Sequence, residues 1–304
     1  MRTIGLDVGG TKILGVARAS DGSIVGELRT ESEYDEGSLF DAMTELTRRL
    51  GGDATRALGI GIAGLVTADG RLRYAPNLPG VEEIDISTEM EKRSGLPTIV
   101  DNDANVAGYA EVIQGAARGA RHALVVTLGT GIGGALIIDG QIYRGAQGFA
   151  GEIGHWTVMR DGPRCACGAS GHWEAIASGS ALGRMAAEAT AAGTLVLPTP
   201  GPPDGHAVAS AARSGDAAAR RLLQEYADNI AIGLAGLATI LDPECVVLSG
   251  GVVEMGELLF EPLRESFGRH LEGEQHRHPI RLLRATLGER AGAIGAAALA
   301  ATIE

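Results

Sequence analysis

Four residues near the middle of the chain have the side chains and the spacing of a metal site. They are His155, Cys165, Cys167 and His172, in the pattern HisX9CysXCysX4His. Thiolate and imidazole groups suit zinc, and four protein ligands fill its tetrahedral shell, so the site would be structural rather than catalytic. The alternative is two buried thiols and two surface imidazoles. We favour the metal because two of the chain's three cysteines lie here.

Three glycine-rich loops each follow an apolar strand and could hold phosphate groups. Glycine lets backbone N–H groups approach phosphate oxygens closely, and threonine and lysine add side-chain donors. The candidate nucleotide contacts are Gly9, Gly10, Thr11 and Lys12 in the first loop, Thr130, Gly131 and Gly133 in the second, and Gly250 and Gly251 in the third. One such loop alone is typical of a tight hairpin, whereas three in a repeated framework favour a nucleotide cleft.

The second loop also matches GxGxxG through Gly129, Gly131 and Gly134. That pattern binds dinucleotides where it opens a helix, but the residues from Ala135 to Gly140 have the pattern of a strand and a turn. The first loop lacks the four residues that precede the Gly-Lys pair of a Walker loop. We therefore expect hairpin turns to hold the phosphates.

Polar residues are concentrated where a buried strand gives way to a helix, in the run from Ile99 to Asn105. Ligands of open α/β sheets collect at the carboxyl ends of strands. One Asp or Asn at such a place is more often a helix cap than a catalyst, and Asp101 or Asn102 could have that role. Because two further polar residues exceed the needs of one cap, we assign Asn102 and Asp103 to a substrate.

The elements that must position these residues occur twice along the chain. The first 30 residues have the pattern of three antiparallel strands, and helices then alternate with strands up to about residue 110. A strand, a glycine loop, a strand and a hairpin return from His122 to Arg144. This repetition predicts a duplicated α/β fold. Further predicted elements are a helix over 216–241, a strand over 245–248, and helices over about 255–271 and 289–303.

The charge and the apolar pattern exclude several classes of protein. The 304 residues include 26 Lys and Arg against 38 Asp and Glu, so the formal net charge is −12, the wrong sign for binding the phosphate backbone of nucleic acid. No apolar run reaches the roughly 18 residues of a membrane span. A signal peptide would be apolar where this chain has Asp7. We expect a cytoplasmic protein, because reducing conditions leave cysteines available for a metal.

The chain resembles the sugar kinases of the ROK family (repressors, open reading frames and kinases), most closely the bacterial glucokinases among them. The resemblance extends over nearly the whole sequence. Its motifs are Leu6 to Lys12, Asn77 to Gly80, Val100 to Asn105, Leu128 to Gly134, Gly151 to His155, Cys165 to Gly168, Gly171 to Glu174 and Leu248 to Gly251. The stretch from Glu152 to His155, together with the cysteine motif, is the most specific part.

The resemblance implies an α/β fold of two duplicated actin-like and hexokinase-like (ribonuclease H-like) domains, with the active site in the cleft between them. The small N-terminal domain would span 1–115 and be completed by the C-terminal helix over 289–304. The large domain would span 116–288 and contain the zinc-binding loop. A homodimer or homotetramer is also implied, and we expect neither nucleic acid nor membrane as a partner.

The resemblance further implies ATP-dependent phosphorylation of a hexose at its C6 hydroxyl, with glucose first among the substrates, as in glycolysis. Asp103 matches the general base, and Asp7 would hold Mg²⁺ through water. The implied sugar contacts are Gly64, Asn77, Asn102, Asp103, Glu152, His155 and Glu174. Family members have cysteine where this chain has His172, so zinc would bind two His and two Cys, a set that it accepts.

Three alternatives remain open. Kinases for N-acetylmannosamine, N-acetylglucosamine, fructose or mannose share every motif above. A sugar-binding regulator of the family would have an N-terminal DNA-binding domain, for which a strand that begins by residue 4 leaves no room. A zinc hydrolase is disfavoured because all four ligand positions of the metal are filled.

Overall fold

The structure is a computed structural model that describes residues 1–32, 35–75, 78, 80–197, 201 and 203–303. They form two compact units: the first contains 1–125, 135–151 and the residues from 285 onwards, and the second contains 126–134 and 152–284. The domain boundary expected at residue 115 stays a prediction. Within the described part of the chain, no helix has both the length and the apolarity needed to cross a membrane. The expected cytoplasmic location stays a prediction.

The first unit is built on a five-stranded sheet. Its strands are β1 (Arg2–Val8), β2 (Lys12–Ala19), β3 (Ile24–Glu31), β4 (Thr55–Ile62) and β8 (Thr98–Asn102), in the order β3-β2-β1-β4-β8. Strands β1 to β3 are antiparallel, which confirms the predicted meander. Strand β4 is parallel to both β1 and β8, and Asp7, Gly61 and Asp101 align in register. The carboxyl ends of β1, β4 and β8 therefore meet at one edge of the sheet.

Helices and a small sheet complete the layers of this unit. The helices are α1 (Glu36–Leu50), α2 (Ile86–Ser94) and α3 (Asp103–Ile113), and the small sheet contains β5 (Leu65–Val66), β6 (Arg71–Tyr74) and β7 (Ile84–Asp85). A core cluster joins apolar residues of β1, β2, β4 and α1, among them Leu6, Phe40 and Ile60. This core supports the strands whose ends present the polar residues.

A later segment, α9 (Ala291–Ala300), packs against β1 and β4, and all ten of its residues are buried. The two strands have glycine at the points of closest approach. A Cβ atom on Gly5 would overlap the carbonyl oxygen of Ala293, and one on Gly59 would overlap that of Ala296. These glycines let the helix backbone lie directly on the sheet.

Two side chains fix the position of α9 and of the residues before it. The hydroxyl of Thr3 donates a hydrogen bond of 2.7 Å to the carbonyl oxygen of Ala297. The buried carboxylate of Glu111 accepts hydrogen bonds from the backbone N–H groups of Thr286 and Leu287, at 3.0 and 2.9 Å. Both contacts join residues that are far apart in the sequence, so they hold the first unit together as one body.

A second five-stranded sheet repeats the order of the first. Its strands are β9 (Ala123–Leu128), β10 (Ile132–Ile138), β11 (Gln141–Ile142), β12 (Cys245–Ser249) and β13 (Arg281–Arg284), in the order β11-β10-β9-β12-β13. In both sheets the first strand is central, the second and third follow on one side, and the fourth and fifth lie on the other. This correspondence confirms the predicted duplication.

In the second unit, four α-helices come before β12 in the sequence and one comes after it, among the described residues. They are α4 (Glu174–Ala177), α5 (Gly179–Ala191), α6 (Gly205–Arg213), α7 (Ala217–Leu241) and α8 (Glu257–His270). Asp216 caps α7 by accepting the N–H group of Ala219, at 2.8 Å, and the helix ends at Asp242, whose φ is +46°. The predicted helix over 216–241 is thus confirmed.

Three predictions need correction. Gly133 lies in β10 rather than in a loop, because the strand already begins at Ile132. The predicted strand from Gln141 to Arg144 has only two residues, since Tyr143 donates its N–H group back to Leu136 and the chain then turns away. The helix predicted over 289–304 spans only 291–300, after a 3-10 turn over 288–290, because a uniformly apolar run does not mark where a helix ends.

Candidate active site and metal centre

Asp7 and Asp103 lie close together in the first unit, at the edge where the parallel strands end. Asp7 is the penultimate residue of β1, and Asp103 begins α3 directly after β8. Burial and, to a lesser extent, the negative charge of Asp103 raise the pKa of Asp7 to about 7, although Lys12 opposes the shift. Two carboxyl groups that influence each other's ionisation are typical of a catalytic or cation-binding site.

Asp103 has the environment of a general base. Burial raises the pKa of this carboxyl group, and a hydrogen bond of 2.9 Å from the N–H group of Ala104 partly opposes that effect. A carboxylate with a raised pKa accepts a proton more readily while it remains ionised near neutral pH. The start of α3 also holds the group in a fixed position.

Asn102 caps α3, as one reading of the sequence anticipated. Its Oδ1 atom accepts hydrogen bonds from the N–H groups of Ala104 and Asn105, at 2.9 and 3.1 Å. Its Nδ2 atom donates to the carbonyl oxygen of Gly64, at 3.0 Å. A hydrogen bond therefore connects Asn102 and Gly64, two of the expected sugar contacts.

A buried ion pair beneath this segment was not predicted from the sequence. The Oδ2 atom of Asp101 lies 2.7 Å from both Nε and Nη2 of Arg144, and its Oδ1 atom accepts from the side chain of Asn105 at 2.8 Å. Asp101 is buried and does not cap the helix. Sequence reasoning considered Asp101 only as a cap, because nothing local indicates a partner 43 residues away.

The first glycine loop is a tight turn between β1 and β2. The N–H group of Gly9 donates to the carbonyl oxygen of Lys12, at 3.0 Å. Thr11 is exposed. The ammonium group of Lys12 forms an ion pair of 3.0 Å with Glu289, which Arg29 also contacts at 3.0 Å. Lys12 thus has an acidic partner that the sequence did not indicate.

The second and third glycine loops lie together in the second unit. Gly129 donates its N–H group to Gly131, at 3.0 Å, which closes the turn before β10. Gly250 packs so closely on the backbone of Leu128 that a Cβ atom there would overlap it. Thr130 is exposed, and Gly251 begins a 3-10 turn. The structure thus brings together Thr130, Gly131, Gly250 and Gly251, four of the expected nucleotide contacts.

The beginning of α5 joins these loops, and the sequence reasoning missed it. The N–H group of Gly179, the first residue of α5, donates to the carbonyl oxygen of Gly129, at 2.7 Å. Ser178 caps the helix by accepting the N–H group of Ala181, at 3.1 Å. A serine before a helical segment is the signal that could have located this helix start. Helix starts present unpaired N–H groups, which attract phosphate oxygens.

The four predicted metal ligands form one cluster in the second unit. Their ligand atoms all lie within 4.8 Å of one another. The Sγ atom of Cys165 is 3.7 Å from Nδ1 of His155, and the Sγ atom of Cys167 is 3.3 Å from Nδ1 of His172. A turn in which Gly168 donates its N–H group to Cys165 brings the two thiols together. Two sulfur and two nitrogen atoms at this spacing can surround a tetrahedral zinc ion.

Glu174 links this cluster to the second glycine loop. Its Oε2 atom accepts the N–H group of Ile132 at 2.9 Å, and its Oε1 atom accepts the thiol of Cys165 at 3.4 Å. Burial raises the pKa of the Cys165 thiol to about 11, and Glu174 adds to the shift. Glu152 precedes the 3-10 turn over 153–155, and its carbonyl oxygen accepts the N–H group of His155 at 3.1 Å.

Each unit thus brings together a distinct part of the expected site. The first unit contains Asp7, Gly9, Gly10, Thr11, Lys12, Gly64, Asn102 and Asp103, and the second contains Thr130, Gly131, Gly133, Glu152, His155, Cys165, Cys167, His172, Glu174, Gly250 and Gly251. Asn77 lies outside the described residues. The carboxyl groups suited to proton transfer are in the first unit, and the metal-ligating group is in the second.

Comparisons with known proteins show which family the chain is similar to. The model of the ROK family matches residues 3–303. The glucokinase of Streptomyces coelicolor is 37% identical over 98% of this chain and 97% of its own length. The structure of a ROK family glucokinase from Streptomyces griseus, in complex with glucose and AMPPNP, is 37% identical, covers 100% of both chains and has a TM-score of 0.83. A ROK hexokinase from Thermus thermophilus is 36% identical over 99% of this chain and 98% of its own, with a TM-score of 0.87.

Proposed function

The chain belongs to the ROK family, and from that premise we propose that it is an ATP-dependent hexose kinase that phosphorylates glucose at the C6 hydroxyl. One observation supports this most directly: Asp103, a partly buried carboxyl group with a raised pKa, begins α3 beside Asp7. It does so in a chain that is 37% identical to a glucokinase over nearly its full length. A kinase of this kind needs a base for the sugar hydroxyl and a means of holding a triphosphate.

Asp103 has the role of general base in this proposal. Its carboxylate accepts the proton of the C6 hydroxyl as the oxygen attacks the γ-phosphorus atom of ATP and the bond to the β-phosphate oxygen breaks. The products are hexose 6-phosphate and ADP. A positioned base typically contributes about 10² to 10⁴ in rate. Because phosphoryl transfer has a loose transition state, positioning and electrostatic stabilisation provide most of the remainder.

Asp7 and the glycine loops have the role of holding the phosphates. Asp7 offers a carboxylate of the kind that binds Mg²⁺ through water, and a bound Mg²⁺ would neutralise charge on the phosphate oxygens. Backbone N–H groups of Gly10, Gly131 and Gly251 would face the phosphates, together with the start of α5. Lys12 would contribute positive charge at the edge of the first loop, beside Glu289.

The hexose hydroxyls would bond a set of polar groups. We propose Gly64, Asn77, Asn102, Asp103, Glu152, His155 and Glu174 as these contacts. Asn102 donates to the carbonyl oxygen of Gly64, and Glu174 accepts the N–H group of Ile132, so both side chains are held in position. A wrong epimer would leave some of these buried groups unpaired, which is how such a site discriminates among sugars.

A structural zinc ion at His155, Cys165, Cys167 and His172 completes the proposal. The ligand atoms are close enough for one ion, and their chemistry suits zinc. The ion would fix the loop that positions Glu174. Elemental analysis should find about one zinc per chain. Cys165→Ala should lose the metal, whereas Cys245→Ala, the matched control in β12, should retain it. A folded, active wild-type protein without zinc would exclude this part of the proposal.

The decisive experiment measures ADP release with a panel of hexoses. We expect the highest kcat/KM with glucose, and phosphate on C6 of the product by NMR. Asp103→Asn should lower kcat by about 10² to 10⁴, while Asp53→Asn, an exposed control, should not change it. Equal turnover by Asp103→Asn would reject the base assignment, and a preference for N-acetylmannosamine, N-acetylglucosamine, fructose or mannose would redirect the proposal to that sugar.

Three finer features are also proposals. The chain would form a homodimer or homotetramer, which light scattering can test, and its domains would be 1–115 with the last helix and 116–288, which limited proteolysis can test. The phosphorylated sugar would enter glycolysis.

A further inference from the structure

A cavity of about 330 Å³ lies in the first unit, where β1 begins. Arg2, Arg18 and Arg56 line it, and no Asp or Glu does so among the described residues. Ala57, Pro97 and Ala300 provide apolar parts of its wall. Three guanidinium groups in one cavity are notable in a chain whose net charge is −12.

The arginines of this cavity lack the partners that arginine usually finds. Within the described part of the chain, none of the three forms an ion pair with a carboxylate. The Nε atoms of Arg2 and Arg18 are buried and have no hydrogen-bond partner there. Arg56 is exposed, and among the described residues its side chain donates to the sulfur atom of Met1, at 3.3 Å. Buried charged donors that remain unpaired are costly, so two of them at one cavity indicate a ligand.

One acidic residue, Asp21, interacts with Arg18 but lies outside the lining of the cavity. Asp21 follows the strand that contains Arg18, and its Oδ1 atom accepts the N–H group and the hydroxyl of Ser23, at 2.9 and 2.6 Å. These two hydrogen bonds lower the pKa of Asp21 more than Arg18 does. The charges of Asp21 and Arg18 attract each other, but Asp21 is exposed and does not line the cavity.

The cavity is separate from the proposed active site. Arg2 begins β1 and Asp7 lies five residues further along it, so the two ends are about 16 Å apart at the rise of an extended strand. Asp7 and Asp103 lie where the strands end, whereas Arg2, Arg18 and Arg56 lie at the opposite edge of the same sheet. An anion bound by these arginines would therefore be distinct from the phosphates of ATP.

We propose that this cavity is an oxyanion site, in which Arg2, Arg18 and Arg56 bind a phosphate or carboxylate group. Guanidinium groups match such oxyanions through paired hydrogen bonds, and the volume suits the head group of a small metabolite. The proposed source of this chemistry is a free metabolite that carries a phosphate group.

The test is a calorimetric titration of the full chain with inorganic phosphate, with glucose, Mg²⁺ and a non-hydrolysable ATP analogue at saturation. We expect Arg18→Gln with Arg56→Gln to weaken phosphate binding by about tenfold or more. Arg49→Gln, the matched control, removes an exposed charge on α1 in the same unit and should leave the affinity within about twofold. Circular dichroism and Tm confirm that each variant is folded.

Phosphate binding by the wild type that depends on Arg18 and Arg56 supports the proposal. If the wild type does not bind phosphate, or if the double variant binds it as the wild type does, the proposal is wrong. Asp103→Asn should retain this binding, so the outcome is independent of the kinase assignment.

Discussion

The carboxylate of Asp7 lies directly against Gly292, the second residue of α9. A Cβ atom at position 292 would overlap the carboxyl carbon and one oxygen of Asp7 and press on the other oxygen. The end of β1, beside the proposed phosphate site, therefore packs closely against α9, a helix that comes much later in the sequence. Glycine at position 292 gives the Asp7 carboxylate its space.

We expect Gly292→Ala to lower kcat by about 10²-fold, because an added methyl group displaces Asp7 by a fraction of an ångström to an ångström. The KM for the hexose should change less, since Asp7 is not among the proposed sugar contacts. Steady-state ADP release measures both constants. Gly37→Ala, an exposed helical glycine in α1, is the control and should have wild-type activity. An unchanged kcat in a folded Gly292→Ala protein would show that catalysis does not depend on the exact position of the Asp7 carboxylate.

As pH falls, kcat/KM should decrease with an inflection at a pH above the usual pKa of a carboxylic acid. Asp103 accepts a proton only when ionised, and burial raises its pKa above the ordinary 3.8, so activity rises with pH through that raised value. The profile is measured at saturating MgATP. Samples returned to pH 8 should recover full activity, which excludes denaturation, and an inflection at or below pH 4 would contradict the assignment.

Asp7→Asn should stabilise the free protein at pH 8. Because the pKa of Asp7 is raised in the folded state, the folded state binds its proton more tightly than the unfolded state does. Stability is therefore lost as pH rises from about 4 to about 7. An amide removes that loss, so the variant should gain Tm at pH 8 and match the wild type near pH 3.5. Thermal unfolding without Mg²⁺ or nucleotide tests this, and a lower Tm at pH 8 would contradict it.

Arg144→Met should destabilise the first unit by about 1–3 kcal/mol, because it leaves the buried charge of Asp101 without its partner. Urea unfolding gives the free energy. Arg48→Met is the control, since Arg48 forms an exposed pair with Glu45 and such pairs contribute less than about 1 kcal/mol. Equal losses in the two variants would mean that the ion pair between Asp101 and Arg144 does not stabilise the fold.

The local features of this protein could be predicted from its sequence. The strands of the meander and the long helix α7 show regular apolar patterns, and polar residues or glycines mark their ends. The ligands of the proposed zinc site fall within 18 residues, so a short loop brings them together and their spacing alone indicates the cluster. The cap of α3 by Asn102 depends on residues two and three positions away, and was one of the readings considered.

The features that depend on distant residues could not be predicted in this way. Arg144 reaches Asp101 across 43 positions, and Glu289 reaches Lys12 across 277. No local pattern encodes either pair. Helices α5 and α6 were also missed, because their buried faces consist largely of alanine, which gives little apolar contrast with the exposed face. Glu174 was assigned to a sugar, but its contacts with Ile132 and Cys165 became apparent only in three dimensions.

The bond from Thr3 to Ala297 spans 294 positions, which has a consequence for synthesis on the ribosome. Strands β1 and β4 emerge early, but the helix that covers their glycine face is translated roughly 15 to 60 seconds later, at about 5–20 residues per second. During that interval the nascent sheet exposes an apolar face to solvent and to other chains. Chaperone capture of the growing polypeptide, ended by the arrival of α9, is the expected result.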